Sequence, residues 1–117
     1  PRVAWVQYAD NPDGVDAALA KKYLPNGGCG VLAFGLKGTR EETVSFMDRL
    51  KLISIVTHVA DAKSCILHPA SHTHRQLSDE QLRAAGIAPD LMRLSLGIES
   101  AEDLVADLRQ ALDETAQ

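Results

Sequence analysis

The sequence predicts an α/β fold in which helices cover one face of a mainly antiparallel sheet. Helical patterns alternate with short apolar runs along the chain, and no glycine-rich phosphate-binding loop interrupts this alternation. The chain has 117 residues, of which 45% are hydrophobic and 24% are charged, a composition typical of one globular domain. We therefore predict a single domain over residues 1–117, with the order of its strands left open.

The first helix is predicted over residues 13–24, with Lys21 and Lys22 near its C-terminal end, where positive charge is favourable. Its expected inner side carries Val15, Ala18, Leu19 and Tyr23. The turn-rich segment Pro25–Gly28 ends it. The apolar run GVLAFGL at residues 30–36 has turn signals on both sides, which predicts a buried strand.

Two capping boxes predict where the next helices begin. In the segment Thr39–Glu42 the threonine hydroxyl and the glutamate carboxylate can satisfy free amides of a helix that runs to about Leu50. Its predicted inner face carries Val44, Met47 and Leu50. The segment Ser78–Gln81 repeats the signature and opens a short helix that Gly86 can end in a left-handed conformation.

The last helix is predicted to begin at Ser100, and it carries a clear apolar stripe. The stripe consists of Leu104, Leu108, Ala111 and Leu112. Three further strands are predicted at residues 53–58, 64–67 and 91–95, each bordered by turn residues or charge.

Charge and hydropathy exclude several classes of function. The net charge is -4, the pI is near 5.5, and the basic residues are scattered, which argues against nucleic acid or an anionic membrane as a partner. No apolar run is long enough to span a bilayer, and no segment reads as a signal peptide, so we expect a cytoplasmic protein. Cys29 and Cys65 stand in apolar surroundings and are predicted to be buried thiols rather than a disulfide. The chain opens at Pro1, so we expect it to be a piece of a longer protein.

The segment HPASHTH raises the possibility of a metal site. It contains His68, His72 and His74, and His58 lies ten residues before it. Histidine binds zinc, copper and nickel, but Pro69 interrupts any regular strand here and neither CxxC nor HExxH is present. The alternative, loop and packing histidines, is the better prediction.

Arg93 and Ser64 are the candidate binding residues. Arg93 stands alone among leucines and a methionine in a predicted strand, where a guanidinium needs an anion. That anion could be an acidic side chain of the chain itself, or a carboxylate or phosphate of a ligand. Ser64 opens an apolar run where its hydroxyl could bind a ligand, although serine is also ordinary at a strand edge. No serine or cysteine has the context of a catalytic nucleophile, and the acidic pairs in the first turns of helices fit structural roles, so no catalytic residue is predicted.

The stretch from Asp61 to Leu112 resembles the C-terminal signature of a known enzyme family. It reads DAKSCILHPASHTHRQLSDEQLRAAGIAPDLMRLSLGIESAEDLVADLRQAL. The family comprises the pyridoxal-phosphate enzymes of cysteine and methionine metabolism, and the branch with the greatest resemblance is the O-acetylhomoserine sulfhydrylases. The match lies in Ser64, in the H-P-A-S-x-T-H segment at residues 68–74, and in a G-I-x-x-x-L-x-R-x-S-x-G-x-E block from Gly86 to Glu99.

The earlier half is compatible with the same family. PRVAWVQY resembles the strand that begins its small domain, and the segment from Phe34 to Ser64 resembles its middle. Cys65, His72 and the segment Ala9–Asn11 depart from the usual pattern, whereas Lys63 favours the sulfhydrylase branch.

The resemblance implies the small C-terminal domain of a fold-type I pyridoxal-phosphate enzyme. It implies that a larger N-terminal domain, absent from this chain, holds the cofactor, and that the chain itself does not bind it covalently. No lysine is assigned to the cofactor, which excludes Lys21, Lys22, Lys37, Lys51 and Lys63. The resemblance also makes the H-P-A-S-x-T-H segment a structural loop and strand, which lowers the expectation of a metal further.

The same resemblance implies that Arg93 binds the α-carboxylate of an amino-acid substrate, with a hydrogen bond from Ser64. The implied substrates of the intact enzyme, expected to be a homotetramer, are O-acetylhomoserine and sulfide or a thiol, joined by γ-replacement of acetate. The fragment alone is expected to be inactive. The alternatives are a cystathionine γ-synthase or γ-lyase of the same family, and a freestanding module that binds small carboxylates.

Overall fold

The computed structural model describes residues 2–115, which form a five-stranded sheet with helices. The strands are β1 (Val3–Tyr8), β2 (Val31–Leu36), β3 (Ser54–Ile55), β4 (Cys65–Leu67) and β5 (Leu91–Ser95). The helices are α1 (Ala17–Tyr23), α2 (Arg40–Asp48), α3 (Asp79–Ala84) and α4 (Ala101–Thr115). The strand order is β1-β2-β5-β4-β3, and every pair is antiparallel except β3 with β4. The prediction of an α/β fold with a mainly antiparallel sheet is confirmed.

One face of the sheet forms the hydrophobic core with α2 and α4. Alternate residues of the central strands, such as Phe34 of β2 and Met92 and Leu94 of β5, point into this core. The Phe34 ring meets the ring of Phe46 on α2 edge-to-face, with 6.2 Å between the ring centres. Leu104 of α4 closes the core over the sheet. The stripe of α4 therefore lies where it was predicted, and so does Met47 of α2, but Val44 of the predicted inner face of α2 is exposed and Phe46 is buried instead.

The helix beginnings at Thr39 and Ser78 are confirmed, because both capping boxes form in full. Gly86 follows α3 with a φ of 77°, a left-handed conformation that glycine adopts without steric cost. Helix α1 differs from its prediction. It begins at Ala17, because the side chain and carbonyl of Asn11 accept hydrogen bonds from the amides of Asp13 and Gly14 and hold these residues in a turn.

The predicted inner side of α1 is wrong for the described residues. Val15 is 97% exposed, and Leu19 and Tyr23 are also exposed. The predicted strand at residues 53–58 is also shorter than expected, because only Ser54 and Ile55 pair with β4. Local periodicity predicted these elements, but it does not specify their tertiary partners.

The two cysteines differ in burial. Cys65 is buried, and burial raises the pKa of its thiol, whereas Cys29 is exposed, so its predicted burial is wrong. Cys29 lies next to Gly28 and Gly30 in an exposed connection before β2, where small residues leave it uncovered. Both thiols are free. Among residues 2–115, no helix has the length and apolar character needed to cross a bilayer.

Candidate carboxylate-binding site

The face of the sheet opposite α2 and α4 carries Arg93. Antiparallel pairing places Ala33 of β2 and Leu67 of β4 directly beside Arg93, and Gln7 of β1 beside Ala33. Paired residues project to the same face of a sheet, so these four side chains form one row across it. A cavity of about 890 Å³ opens over this row. Its walls include Trp5, Thr57, Leu67, Pro69, His74 and Arg93.

The Arg93 guanidinium is anchored by backbone carbonyls rather than by an acid. One terminal nitrogen donates to the Thr57 carbonyl at 3.0 Å and makes a longer contact of 3.5 Å with the His58 carbonyl. Its Nε is buried and has no hydrogen-bond acceptor within residues 2–115. No ion pair joins Arg93 to a carboxylate in the same residues, so the predicted alternative of an internal ion pair is not found. A guanidinium with an unused donor edge is suited to bind a carboxylate through two hydrogen bonds.

The carbonyls that hold Arg93 belong to residues 56–64, which connect β3 to β4 and are called the Arg93 loop below. Ala60 in this loop has a φ of 59°, a left-handed conformation that is uncommon for residues other than glycine. Its amide donates to the buried Ser95 hydroxyl at 3.1 Å. The Asp61 carboxylate lies 3.4 Å from His58 Nδ1 and accepts from the amide of Lys63. The amide of Lys63, followed by His58, lowers the pKa of Asp61.

Ser64 lies at the end of this loop and is fully buried. Its hydroxyl donates to Glu99 Oε2 at 2.8 Å and accepts from the amide of Gly97 at 2.8 Å. Its own amide donates to Glu99 Oε1 at 2.7 Å, and these Ser64 hydrogen bonds lower the pKa of Glu99. Ser64 does not line the cavity beside Arg93. A hydrogen bond from Ser64 to a substrate stays a prediction, while in the structure the hydroxyl is engaged with Glu99 and Gly97.

The histidine segment is held by hydrogen bonds of its own. The buried His68 ring contacts the Pro89 carbonyl through Nε2 and the Ser71 hydroxyl through Nδ1, both at 2.8 Å. Burial lowers its pKa, which favours the neutral ring. His72 Nδ1 accepts from the amide of His68. Residues 2–115 contain no group of three metal-ligating side chains placed to share an ion, and the absence of a metal stays a prediction.

Glu99 is the residue of this region that sequence reasoning missed. It is the last residue of the matching block from Gly86 to Glu99, but the pattern assigned it no role. The sequence did contain a signal for it: Glu99 is a carboxylate two residues after Gly97, and it belongs to no helical stripe. The backbone carbonyls of Thr57 and His58 carried no signal, because every residue has one.

Comparison with known proteins decides the family. Residues 1–113 match the model of the family described as Cys/Met metabolism PLP-dependent enzyme. The chain belongs to this family. The family is pyridoxal-phosphate-dependent, as the resemblance implied.

Individual relatives agree with this assignment. The chain is 46% identical to O-acetyl-L-homoserine sulfhydrylase 1 of Thermus thermophilus over 112 residues, which are 96% of this chain and 27% of that protein. A Campylobacter jejuni protein described as an O-acetylhomoserine (thiol)-lyase, whose structure carries a pyridoxyl-lysine phosphate, superposes with a TM-score of 0.86 at 39% identity, covering 97% of this chain and 27% of that one.

Cystathionine γ-synthase of Xanthomonas oryzae pv. oryzae also superposes with a TM-score of 0.86, at 36% identity over 98% of this chain and 30% of that one. The fold of a fold-type I pyridoxal-phosphate enzyme is therefore confirmed for this piece. The chain spans only about a quarter to a third of the length of these relatives.

Proposed function

We propose that this chain is the small C-terminal domain of a pyridoxal-phosphate-dependent O-acetylhomoserine sulfhydrylase, in which Arg93 binds the substrate α-carboxylate. One observation carries the proposal for the site. The guanidinium is fixed by the Thr57 carbonyl, leaves its buried Nε without an acceptor in residues 2–115, and faces an open cavity. The identity to a named sulfhydrylase supports the choice of substrate.

The position of Arg93 suits an amino-acid substrate because a carboxylate can use both prongs of the guanidinium. Such a contact fixes two points of the substrate and therefore its orientation. Ala33 and Leu67, the neighbours of Arg93 in the row, offer no competing charge. Arg93 would thus supply both the positive charge that attracts the carboxylate and the pair of donors that orients it.

The residues of this chain do not fit a covalent attachment of the cofactor. Its five lysines, Lys21, Lys22, Lys37, Lys51 and Lys63, are all exposed. Within residues 2–115, none of them lines the cavity beside Arg93. We place the cofactor lysine in the part of the enzyme beyond these 117 residues. The homotetramer and the cytoplasmic location stay predictions.

The test is turnover by the full-length enzyme that contains this chain. With O-acetylhomoserine and sulfide it should release acetate and form homocysteine, and a thiol should replace sulfide as the second substrate. Lack of turnover with sulfide or a thiol would contradict the proposal.

A second candidate, cystathionine γ-synthase, is favoured by the equal superposition on the Xanthomonas enzyme. It predicts that cysteine is a much better nucleophile than sulfide, whereas a γ-lyase would cleave cystathionine instead. A freestanding carboxylate-binding module would differ from all of these. It predicts that the gene contains no lysine-bearing domain upstream of Pro1.

A further inference from the structure

Two segments beside Arg93 are joined by a dense set of hydrogen bonds. They are the second half of the Arg93 loop and the segment 95–99, which begins at the last residue of β5. The amide of Ile98 donates to the Ala62 carbonyl at 2.9 Å. The Ser95 hydroxyl accepts from the amide of Ala60 at 3.1 Å. The loop is thus held at two points, by the last residue of the strand that carries Arg93 and by Ile98 after it.

Glu99 adds the contacts that join the segments through side chains. Its two carboxylate oxygens accept from the amide and from the hydroxyl of Ser64, at 2.7 and 2.8 Å. The same hydroxyl accepts from the amide of Gly97, so Glu99, Ser64 and Gly97 form one connected network. A Cβ on Gly97 would lie 2.2 Å from the Ala62 carbonyl oxygen, which means that the two backbones are too close for any other residue.

This network bears on Arg93 because the loop has an unfavourable conformation. The left-handed Ala60 is uncommon for alanine, and such conformations persist only where surrounding contacts impose them. The same loop presents the Thr57 carbonyl that orients the guanidinium. A loop released at Ser64 would therefore lose the support that places this carbonyl.

We propose that Glu99 is a positioning residue, which orients Arg93 for the substrate carboxylate through Ser64 and the Arg93 loop. The inference rests on the proposed function. Glu99 itself does not touch the substrate in this proposal. The hydrogen bonds from Ser64 keep the pKa of Glu99 below its usual range, so the carboxylate stays ionised at neutral pH.

The experiment compares full-length variants with O-acetylhomoserine and sulfide. Glu99→Ala should raise KM for O-acetylhomoserine by about 10-fold and change kcat by less than about 2-fold, because a less well placed Arg93 binds the carboxylate more weakly in the ground state and in the transition state alike. Glu99→Gln keeps the size of the side chain and one acceptor oxygen, so it should fold and show a smaller rise in KM. Glu102→Ala removes an exposed glutamate of α4 and is the control, with KM unchanged.

Cofactor absorbance per subunit and the melting temperature separate positioning from folding. A structural role alone would lower the melting temperature and the fraction of loaded enzyme but leave KM unchanged, and this result in both Glu99 variants would overturn the proposal. Lack of turnover in the wild type would overturn the proposed function and this role with it. Turnover by the wild type with damage by Arg93→Lys, but with normal KM in both Glu99 variants, would overturn the Glu99 role alone.

Discussion

Arg93 is constrained from two sides, by its strand and by the loop packed against it. Pairing with Ala33 and Leu67 sets the face on which its side chain lies. The Thr57 carbonyl then occupies one terminal nitrogen and leaves Nε without an acceptor in the described residues. A buried donor without a partner costs about 1–3 kcal/mol, so a ligand that supplies the acceptor recovers this free energy.

Arg93→Lys tests whether the guanidinium binds the substrate carboxylate. Lysine keeps the positive charge but loses the planar pair of donors, so kcat/KM of the full-length enzyme should fall by about 30- to 1000-fold, which corresponds to about 2 to 4 kcal/mol. Cofactor absorbance should stay normal. Arg109→Lys, at an exposed position of α4, is the matched control. A nearly unchanged kcat/KM together with a sharply lower melting temperature would make Arg93 a purely structural residue.

The sequence predicted Arg93 because its charge is unusual among apolar neighbours. As a single charged side chain in an apolar strand, Arg93 was expected to need an anion as its partner. The network around it did not stand out, because Glu99, Gly97 and the Thr57 carbonyl acquire their roles only when two distant segments meet. Ser64 was selected, but its contact with Glu99 spans 35 positions of sequence and no local pattern reports such a contact.

Asp107 shows how one side chain of an element can fix its neighbours. It lies buried on α4, and its carboxylate accepts hydrogen bonds from the amides of Lys51, Leu52 and Ile53 at 2.8 to 2.9 Å. These residues connect α2 to β3 and have no other partner for their amides in the described hydrogen bonds. Asp107 thereby ties the turn after α2 to α4.

Asp107→Ala should lower the free energy of unfolding by about 2–4 kcal/mol, because buried amides are left without acceptors. Burial raises the pKa of Asp107, but the three amides outweigh it and the net pKa lies below 3.8. Its contribution is therefore present above pH 3.8 and is lost as the pH falls through the lower pKa of the folded state.

Denaturant unfolding at neutral and strongly acidic pH measures both effects. Asp113→Asn, at an exposed position of α4, should change stability by less than about 0.5 kcal/mol. Equal stability of Asp107→Ala and the wild type at neutral pH would contradict the argument.

Among the elements, those with local signals were predicted best. Thr39 and Ser78 begin α2 and α3 because a capping box is complete within four residues of sequence. Strand β3 was predicted too long, because the extent of pairing depends on β4 rather than on residues 53–58 themselves. Helix α1 was predicted to begin at Asp13, but the Asn11 side chain accepts a hydrogen bond from the Asp13 amide and holds this residue in a turn.

In the whole molecule, α2 and α4 cover one face of the sheet, and the opposite face, which carries Arg93, is open. Leu19 and Tyr23 of α1, and Val15 before it, are exposed rather than part of the core, whereas Ala20 of α1 is buried. Helical periodicity predicted the three exposed residues on an inner side, but periodicity does not tell which surface covers a residue. The 117 residues form about a quarter of the relatives' length, so the sequence of this piece could predict its fold but not what lies over its open face.

The lysine that binds the cofactor in the intact enzyme is predicted to lie outside this chain. A lysine that holds pyridoxal phosphate must lie in a site that orients the ring, whereas the five lysines of this chain are exposed and, in residues 2–115, do not line the Arg93 cavity. Borohydride reduction of the full-length enzyme followed by peptide mapping should therefore place the labelled lysine outside these 117 residues. The 117-residue chain alone, incubated with the cofactor and reduced, should take up well under one equivalent. Stoichiometric label on Lys63, abolished by Lys63→Arg but kept in Lys37→Arg, would show that the chain itself contains the cofactor lysine.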